Sequence, residues 1–388
     1  MPTFYNFNQD GLTYSFDDVF VPADLFREGN LQTWGVGTSG QLGNAAITNR
    51  STPVTTFAGG TNWKQVSCGL DSMAAIKTDG TLWTWGTNGV GQLGNATITN
   101  TSTPVTTFAG GTNWKQVSCG LDSMAAIKTD GTLWTWGDGG SGKLGNAAIT
   151  NRSTPVTTFA GGTNWKQASA GSANISAIKT DGTLWTWGTN GVGQLGNAAI
   201  TNRSTPVTTF AGGTNWKQVS CSFDFMAAIK TDGTLWTWGN GGSGRLGNAT
   251  ITNTSTPVTT FAGGTNWKQV SCGFDSMAAI KTDGTLWTWG DGGSGKLGNA
   301  TITNTSTPVT TFAGGTNWKQ VSFDIGYSAA IKTDGTLWTW GDGGSGKLGN
   351  ATITNTSTPV TTFSGGTNWK QVSAGTNTAA ITYDDPVI

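Results

Sequence analysis

The tetrapeptide Asn-Trp-Lys-Gln recurs seven times in this 388-residue chain, with its Trp at 63, 114, 165, 216, 267, 318 and 369, a constant step of 51 residues. A Trp-Gly pair keeps the same step, at Trp34, Trp85, Trp136, Trp187, Trp238, Trp289 and Trp340. A period of this size restricts the chain to stacked or ring-closed supersecondary units, because one such unit cannot bury its hydrophobic face alone.

The unit that starts at Asn62 reads as β-structure throughout. Residues 74–77 and 81–85 are short apolar or β-branched runs around Asp79-Gly80, a strong local signal for a tight hairpin. Trp83 and Trp85 sit two apart, so both indoles point to one face of their strand. Residues 64–68 and 53–57 supply two further strands, separated by Gly-rich turns. Four strands, no segment of helical period and about 50 residues describe a propeller blade.

A solenoid of the same units would need polar capping repeats. Instead the array starts with the second half of a unit, residues 31–57, and stops in the first half of another, residues 368–381. Joining the two fragments completes a seventh blade and removes the exposed strand edge. The sequence thus predicts an all-β fold, a seven-bladed β-propeller of four-stranded blades closed by pairing N- and C-terminal strands. The domain reading is an N-terminal arm over residues 1–29 and a propeller over residues 30–388.

Several segments carry a family resemblance: TLWTWG at 81–86, GQLGN at 91–95, Pro104-Val105, Cys68-Gly69 and Ala75-Ile76. Together they resemble the regulator of chromosome condensation repeat in its bacterial or viral form, over residues 31–388. The resemblance implies a seven-bladed propeller. It leaves the activity open, since members of that family include an exchange factor for a small GTPase, a plant ultraviolet-B photoreceptor and a bacterial β-lactamase inhibitor. The Gly-Trp-Arg-His-Thr tract of the photoreceptor does not occur here, and the indoles of this chain fall at strand positions where burial accounts for them.

Composition removes whole classes of chemistry. There is no His and one Glu, Glu28, so triads, zinc sites and imidazole acid–base chemistry have no residues to use. The expectation is a non-enzyme without cofactor or metal. With 21 basic and 21 acidic residues the chain has no electrostatic grip on nucleic acid. No apolar run is long enough to span a bilayer, and residues 1–10 lack the features of a secretory signal. GDGGSGK at 137–143 matches a phosphate-cradling pattern, but Leu144 stands where the Ser or Thr for Mg²⁺ belongs, and other blades show the slot to be a turn. Cys68, Cys119, Cys221 and Cys272 share one repeat position that also accepts Ala170, Phe323 and Ala374, which marks a packing site. Asp71, Asp122, Asp224 and Asp275 share another, and a repeated single Asp caps a turn more readily than it builds a Ca²⁺ shell.

What varies between the copies is the tract after Val-Ser. It reads CGLDSM at 68–73, AGSANI at 170–175, CSFDFM at 221–226 and FDIGYS at 323–328, with a version one residue shorter after Ala374. Linking the same two strands in each blade, these tracts should open on one face of the ring. The predicted protein-binding face there comprises Leu70, Asp71, Leu121, Asp122, Phe223, Phe225, Phe274 and Tyr327. The competing reading is drift in a tolerant loop, with the aromatics packing between blades.

The arm differs in composition. Phe4, Tyr5, Phe7, Tyr14, Phe16, Phe20 and Phe26 are interspersed with Asp10, Asp17, Asp18 and Asp24, and the arm resembles the attachment arms of tailed-phage virion proteins. These aromatics either pack on the propeller's own surface or dock into another subunit, a route to a virion assembly or a homo-oligomer. The first functional expectation is a non-catalytic virion surface or adhesion protein, anchored by the arm and meeting a host surface ligand. The alternative is a soluble protein–protein interaction module, inhibitor or exchange-factor-like, that binds one target through the variable loop face.

Overall fold

The computed structural model describes residues 28–383, so the seven arm aromatics, Phe4 through Phe26, lie outside the described residues. In chain order the strands are β1 (Glu28–Gly35), β2 (Arg50–Thr55), β3 (Trp63–Cys68), β4 (Ser72–Lys77), β5 (Leu82–Gly86) and β6 (Thr101–Thr106). The pattern repeats to β27 (Trp369–Ala374) and β28 (Asn377–Tyr383). They form seven four-stranded antiparallel sheets, of which β3-β4-β5-β6 is one. The closing sheet is β2-β1-β28-β27, in which Leu31 faces Ile381 and Trp34 faces Thr378. The seven-bladed ring and its closure are as the repeat predicts. The fourth strand falls at Arg50–Thr55 rather than 53–57.

The Asp-Gly hairpin follows from its residues. Asp79 Oδ1 accepts from the Thr81 N–H at 2.8 Å and from its hydroxyl at 2.7 Å, while the Gly80 N–H donates to the Lys77 carbonyl at 2.9 Å. Gly80 sits at φ +81°, and a Cβ there would also strike the Thr112 carbonyl of the next blade. Both demands select Gly.

The core lies between blades. One cluster joins Leu31, Ala379 and Ile381 of the closing blade to Trp63, Val66, Met73 and Trp85 of the blade after it. In six blades a Lys on the second strand lies over two indoles; Lys77 Nζ is 4.8 Å from the Trp63 ring and 5.0 Å from that of Trp83.

Three hydrogen-bond belts tie neighbouring blades. The first strands of adjacent blades share no ladder, and Gln side chains supply the missing pairing. Gln65 Nε2 donates to the Val117 carbonyl at 2.9 Å, and Gln65 Oε1 accepts the Val117 N–H at 3.0 Å. The same exchange recurs round the ring from Gln116, Gln167, Gln218, Gln269 and Gln320 to Gln371. One step along the strand, Ser67 Oγ accepts the Cys119 N–H at 3.0 Å, again in every blade. Further out, Trp85 Nε1 donates to the Gln41 carbonyl at 2.8 Å, and each equivalent Trp does likewise. The Gln and Ser belts thereby satisfy first-strand backbone groups that no neighbouring strand pairs.

Candidate protein-binding face

The variable tracts form the tight turns between first and second strands; in the first of them the Gly69 N–H donates to the Ser72 carbonyl at 2.9 Å. Because first strands line the channel, these turns surround its mouth and enclose a funnel of about 180 Å³. Leu70, Leu121, Phe223 and Phe274 all border it. Phe223 is 39% exposed and its ring lies 5.0 Å from that of Phe274 in the next blade, tilted by 33°. Leu70, Leu121 and Phe274 are half-buried.

Two expected members of the face turn inward. Phe225 and Tyr327 open their second strands, at the position that Ser72 holds in another blade, and both are fully buried. The physical reason is strand phase: this position points into the stack between blades, beyond the end of the turn. The Tyr327 hydroxyl is held by Thr378 Oγ1 at 2.8 Å and by the Gly375 N–H at 3.3 Å. Neither side chain is presented to a partner.

The acidic positions directly precede the second strands and are engaged by the slot after the Trp-Gly pair. Gln41 Nε2 donates to Asp71 at 3.1 Å and Gln92 Nε2 to Asp122 at 3.3 Å. Arg245 spans two blades, with Nη1 3.0 Å from Asp224 and Nη2 2.7 Å from Asp275. Where the acid is absent, as at Ala173, the Lys of the slot turns to its own blade; Lys143 pairs with Asp138 at 2.5 Å. Burial pushes the Asp122 and Asp275 carboxyls up, opposed at Asp122 by Lys143 and at Asp275 first by Arg245 and then by Lys296. Among the described residues no group of three or more metal-ligating side chains converges. The GDGGSGK segments are blade turns, each with a single 3-10 turn such as Gly140–Gly142, and their Lys is spent on the adjacent Asp.

The four thiols are buried and free. Burial pushes those of Cys119 and Cys221 up to about 12, which keeps them protonated at neutral pH.

Two features escape the sequence reading. Seven Phe, of which Phe57 is 69% exposed, and seven Ile, of which Ile47 is 65% exposed, flank the outermost strand of every blade. The signal was strand phase: Thr56 is the buried residue and Phe57 the outward one. The other is Asp324 in the funnel wall.

A family model described as the RCC1-like domain matches residues 24–324, and the regulator of chromosome condensation (RCC1) repeat matches residues 334–381. The chain belongs to the RCC1-like family. This RCC1-like chain is 29% identical over 325 residues to the ultraviolet-B receptor UVR8 of Arabidopsis thaliana, covering 82% of the chain and 74% of the receptor. It is also 29% identical over 300 residues to the human E3 ubiquitin-protein ligase HERC2, of which it spans 6%. Among solved structures it is similar to yeast RCC1 (Prp20) bound to Kap60, with TM-score 0.81, 17% identity, and coverage of 100% of this chain and 97% of that one. It is also similar to human WBSCR16, with TM-score 0.79, 20% identity, and coverage of 91% and 98%. No helix among the described residues is long and apolar enough to cross a membrane.

Proposed function

We propose that this RCC1-like propeller is a non-catalytic protein-binding module whose contact surface is the funnel face. The observation that carries the proposal is the Phe223–Phe274 pair at the funnel mouth, an aromatic anchor on a rigid ring. Exposed aromatics in such a setting are the side chains that dominate binding energy. Leu70 and Leu121 line the same funnel, and Asp71 and Asp122 follow them directly in their turns. Solved relatives support a protein partner, since one structure is of yeast RCC1 bound to Kap60 and another study concerns binding of Prp20p to Gsp1p and histones. These relatives favour the interaction-module reading over the virion-anchored one, which rests on arm residues outside the described range.

The test replaces Phe223 and Phe274 by Ala together and compares proteins cross-linked from a lysate of the native host. A partner held stoichiometrically by the parent chain and lost from the double variant, but kept by a Phe57→Ser rim variant, supports the reading. Identical partner profiles for the parent and the double variant overturn it.

A further inference from the structure

Within the proposed binding face, Asp324 is singular. The other blades carry Gly69, Gly120, Gly171, Gly273 and Gly375 or Ser222 at its position. A Cβ on Gly69 would meet the Gly120 carbonyl of the following blade, and one on Gly273 would lie 2.6 Å from the Asp324 carbonyl, so the repeat leaves little room for a side chain here. After Asp324 the following blade is the closing one, whose turn is a residue shorter, ending in Ala374, Gly375 and Thr376.

The Asp324 carboxyl lines the funnel and is the one charged side chain among the residues that do. Its Oδ2 is buried and has no hydrogen-bond partner. Isolated carboxylates are costly to bury without a counter-charge. Arg245, Lys296, Lys143 and Lys347 are each ion-paired with other acids of the rim. The lining is mixed: Leu70, Leu121, Phe223, Phe274 and Ile325 share it with first-strand serines such as Ser118 and Ser322. A small funnel with mixed serine and apolar walls and one acidic group matches a slender side chain that ends in a cation.

We infer that the funnel is a binding site for a single Lys or Arg side chain, offered by a protein partner, with Asp324 as its counter-ion. This deepens the proposed function and rests on it for the source of the side chain, but the funnel's chemistry is tested without any partner. Burial pushes the Asp324 carboxyl up to about 7, so a cation is held above that pH and released below it. The titratable and charged groups facing it are Cys68, Tyr327 and Lys347. Burial raises the first two beyond the neutral range, and the third is paired with Asp342 at 2.6 Å.

The experiment titrates the full chain with n-butylguanidinium by calorimetry at pH 8 and pH 5.5, with n-butanol as the uncharged control. The expected result is saturable one-to-one binding at pH 8, at least tenfold weaker at pH 5.5, absent for butanol and lost in Asp324→Asn. Asp324→Gly, which restores the residue most blades carry, serves as a second variant with the same expected loss. Absence of saturable binding at pH 8, or retention in both folded variants, overturns the inference. Partner capture that survives Asp324→Gly while butylguanidinium binding is lost would confine the failure to the side-chain assignment and leave the binding face standing.

Discussion

Gln371 and Val66, 305 positions apart in the chain, exchange two hydrogen bonds: Gln371 Nε2 donates to the Val66 carbonyl at 3.1 Å and Gln371 Oε1 accepts the Val66 N–H at 3.1 Å. The bond pair is the seventh member of the Gln belt, and it carries the belt across the blade that joins the chain ends.

Replacing Gln371 by Ala should destabilise the ring by about 1–3 kcal/mol, because the Val66 N–H and carbonyl lose their partner in a semi-buried setting. Gln167→Ala, in a blade made of contiguous chain, removes the same pair of bonds. Urea denaturation should show similar losses for the two, with any additional fraying of β1 and β28 only in Gln371→Ala, read by amide hydrogen exchange.

A glycine pair separates fit from mere flexibility. Gly349 is at φ +64°, and a Cβ there would lie 2.5 Å from Trp34 Nε1. Gly349→Ala should cost roughly 2 kcal/mol or more, from left-handed backbone strain plus displacement of the indole. Gly89 has nothing within 4 Å of its Cβ direction and no positive φ. Gly89→Ala should leave the thermal midpoint unchanged or slightly raised.

The inward placement of Phe225 is open to direct measurement. Phe225→Ala should cost about 3–5 kcal/mol in denaturant unfolding, as expected for emptying a buried aromatic site. Phe57→Ser at the rim should stay within about 0.5 kcal/mol of the parent. Equal effects for the two would contradict the strand phase described above.

Two sets of carboxyls make opposite contributions to pH dependence. Asp79, Asp130, Asp181, Asp232, Asp283 and Asp334 are held below the ordinary carboxyl range by bonds from the Thr two residues on. Their contribution is present above the unfolded pKa near 4 and is lost as pH falls through the lowered folded values. Burial raises Asp324 from the ordinary carboxyl range near 4 to about 7, so between those limits the folded state binds the extra proton. Stability from this group therefore falls as pH rises from about 4 to about 7. Thermal midpoints across pH 4–9 should show Asp324→Asn gaining relative to the parent as pH increases, while Asp79→Ala loses its deficit only in acid.

The blade was legible because its signals are local and copied seven times: Asp79-Gly80 for the hairpin, Trp83 and Trp85 for one face, the split unit for closure. Leu70, Leu121, Phe223 and Phe274 could be assigned to one face of the ring from their place in the turn alone, and their position at the channel mouth came with the fold. Phe225 and Tyr327 could not, since a substituted Ser at the start of a strand looks like loop variation until the register with Gly239 and Gly341 is seen. Phe57 drew no assignment, because only the alternation through the buried Thr56 turns it outward. Asp324 carried a readable sign, an acid at a Gly position beside a shortened turn. Its isolation from the rim cations is a matter of which Lys reaches which Asp, and that is decided in three dimensions.

The closing blade pairs β1 with β28, which is synthesised only after the strands of the six other blades. The half-blade from Glu28 to Thr55 must wait through the synthesis of every other blade for its mate. During that interval its edge matches strands that recur, nearly letter for letter, in each unit that emerges. What protects the correct outcome is occupancy: every intermediate unit arrives with its own third and fourth strands, and among the described residues only the one begun at Trp369 takes them from the half-blade at Glu28–Thr55. Two chains made side by side would each offer such a vacancy to the other, so exchange of half-blades between molecules is the characteristic error this topology invites.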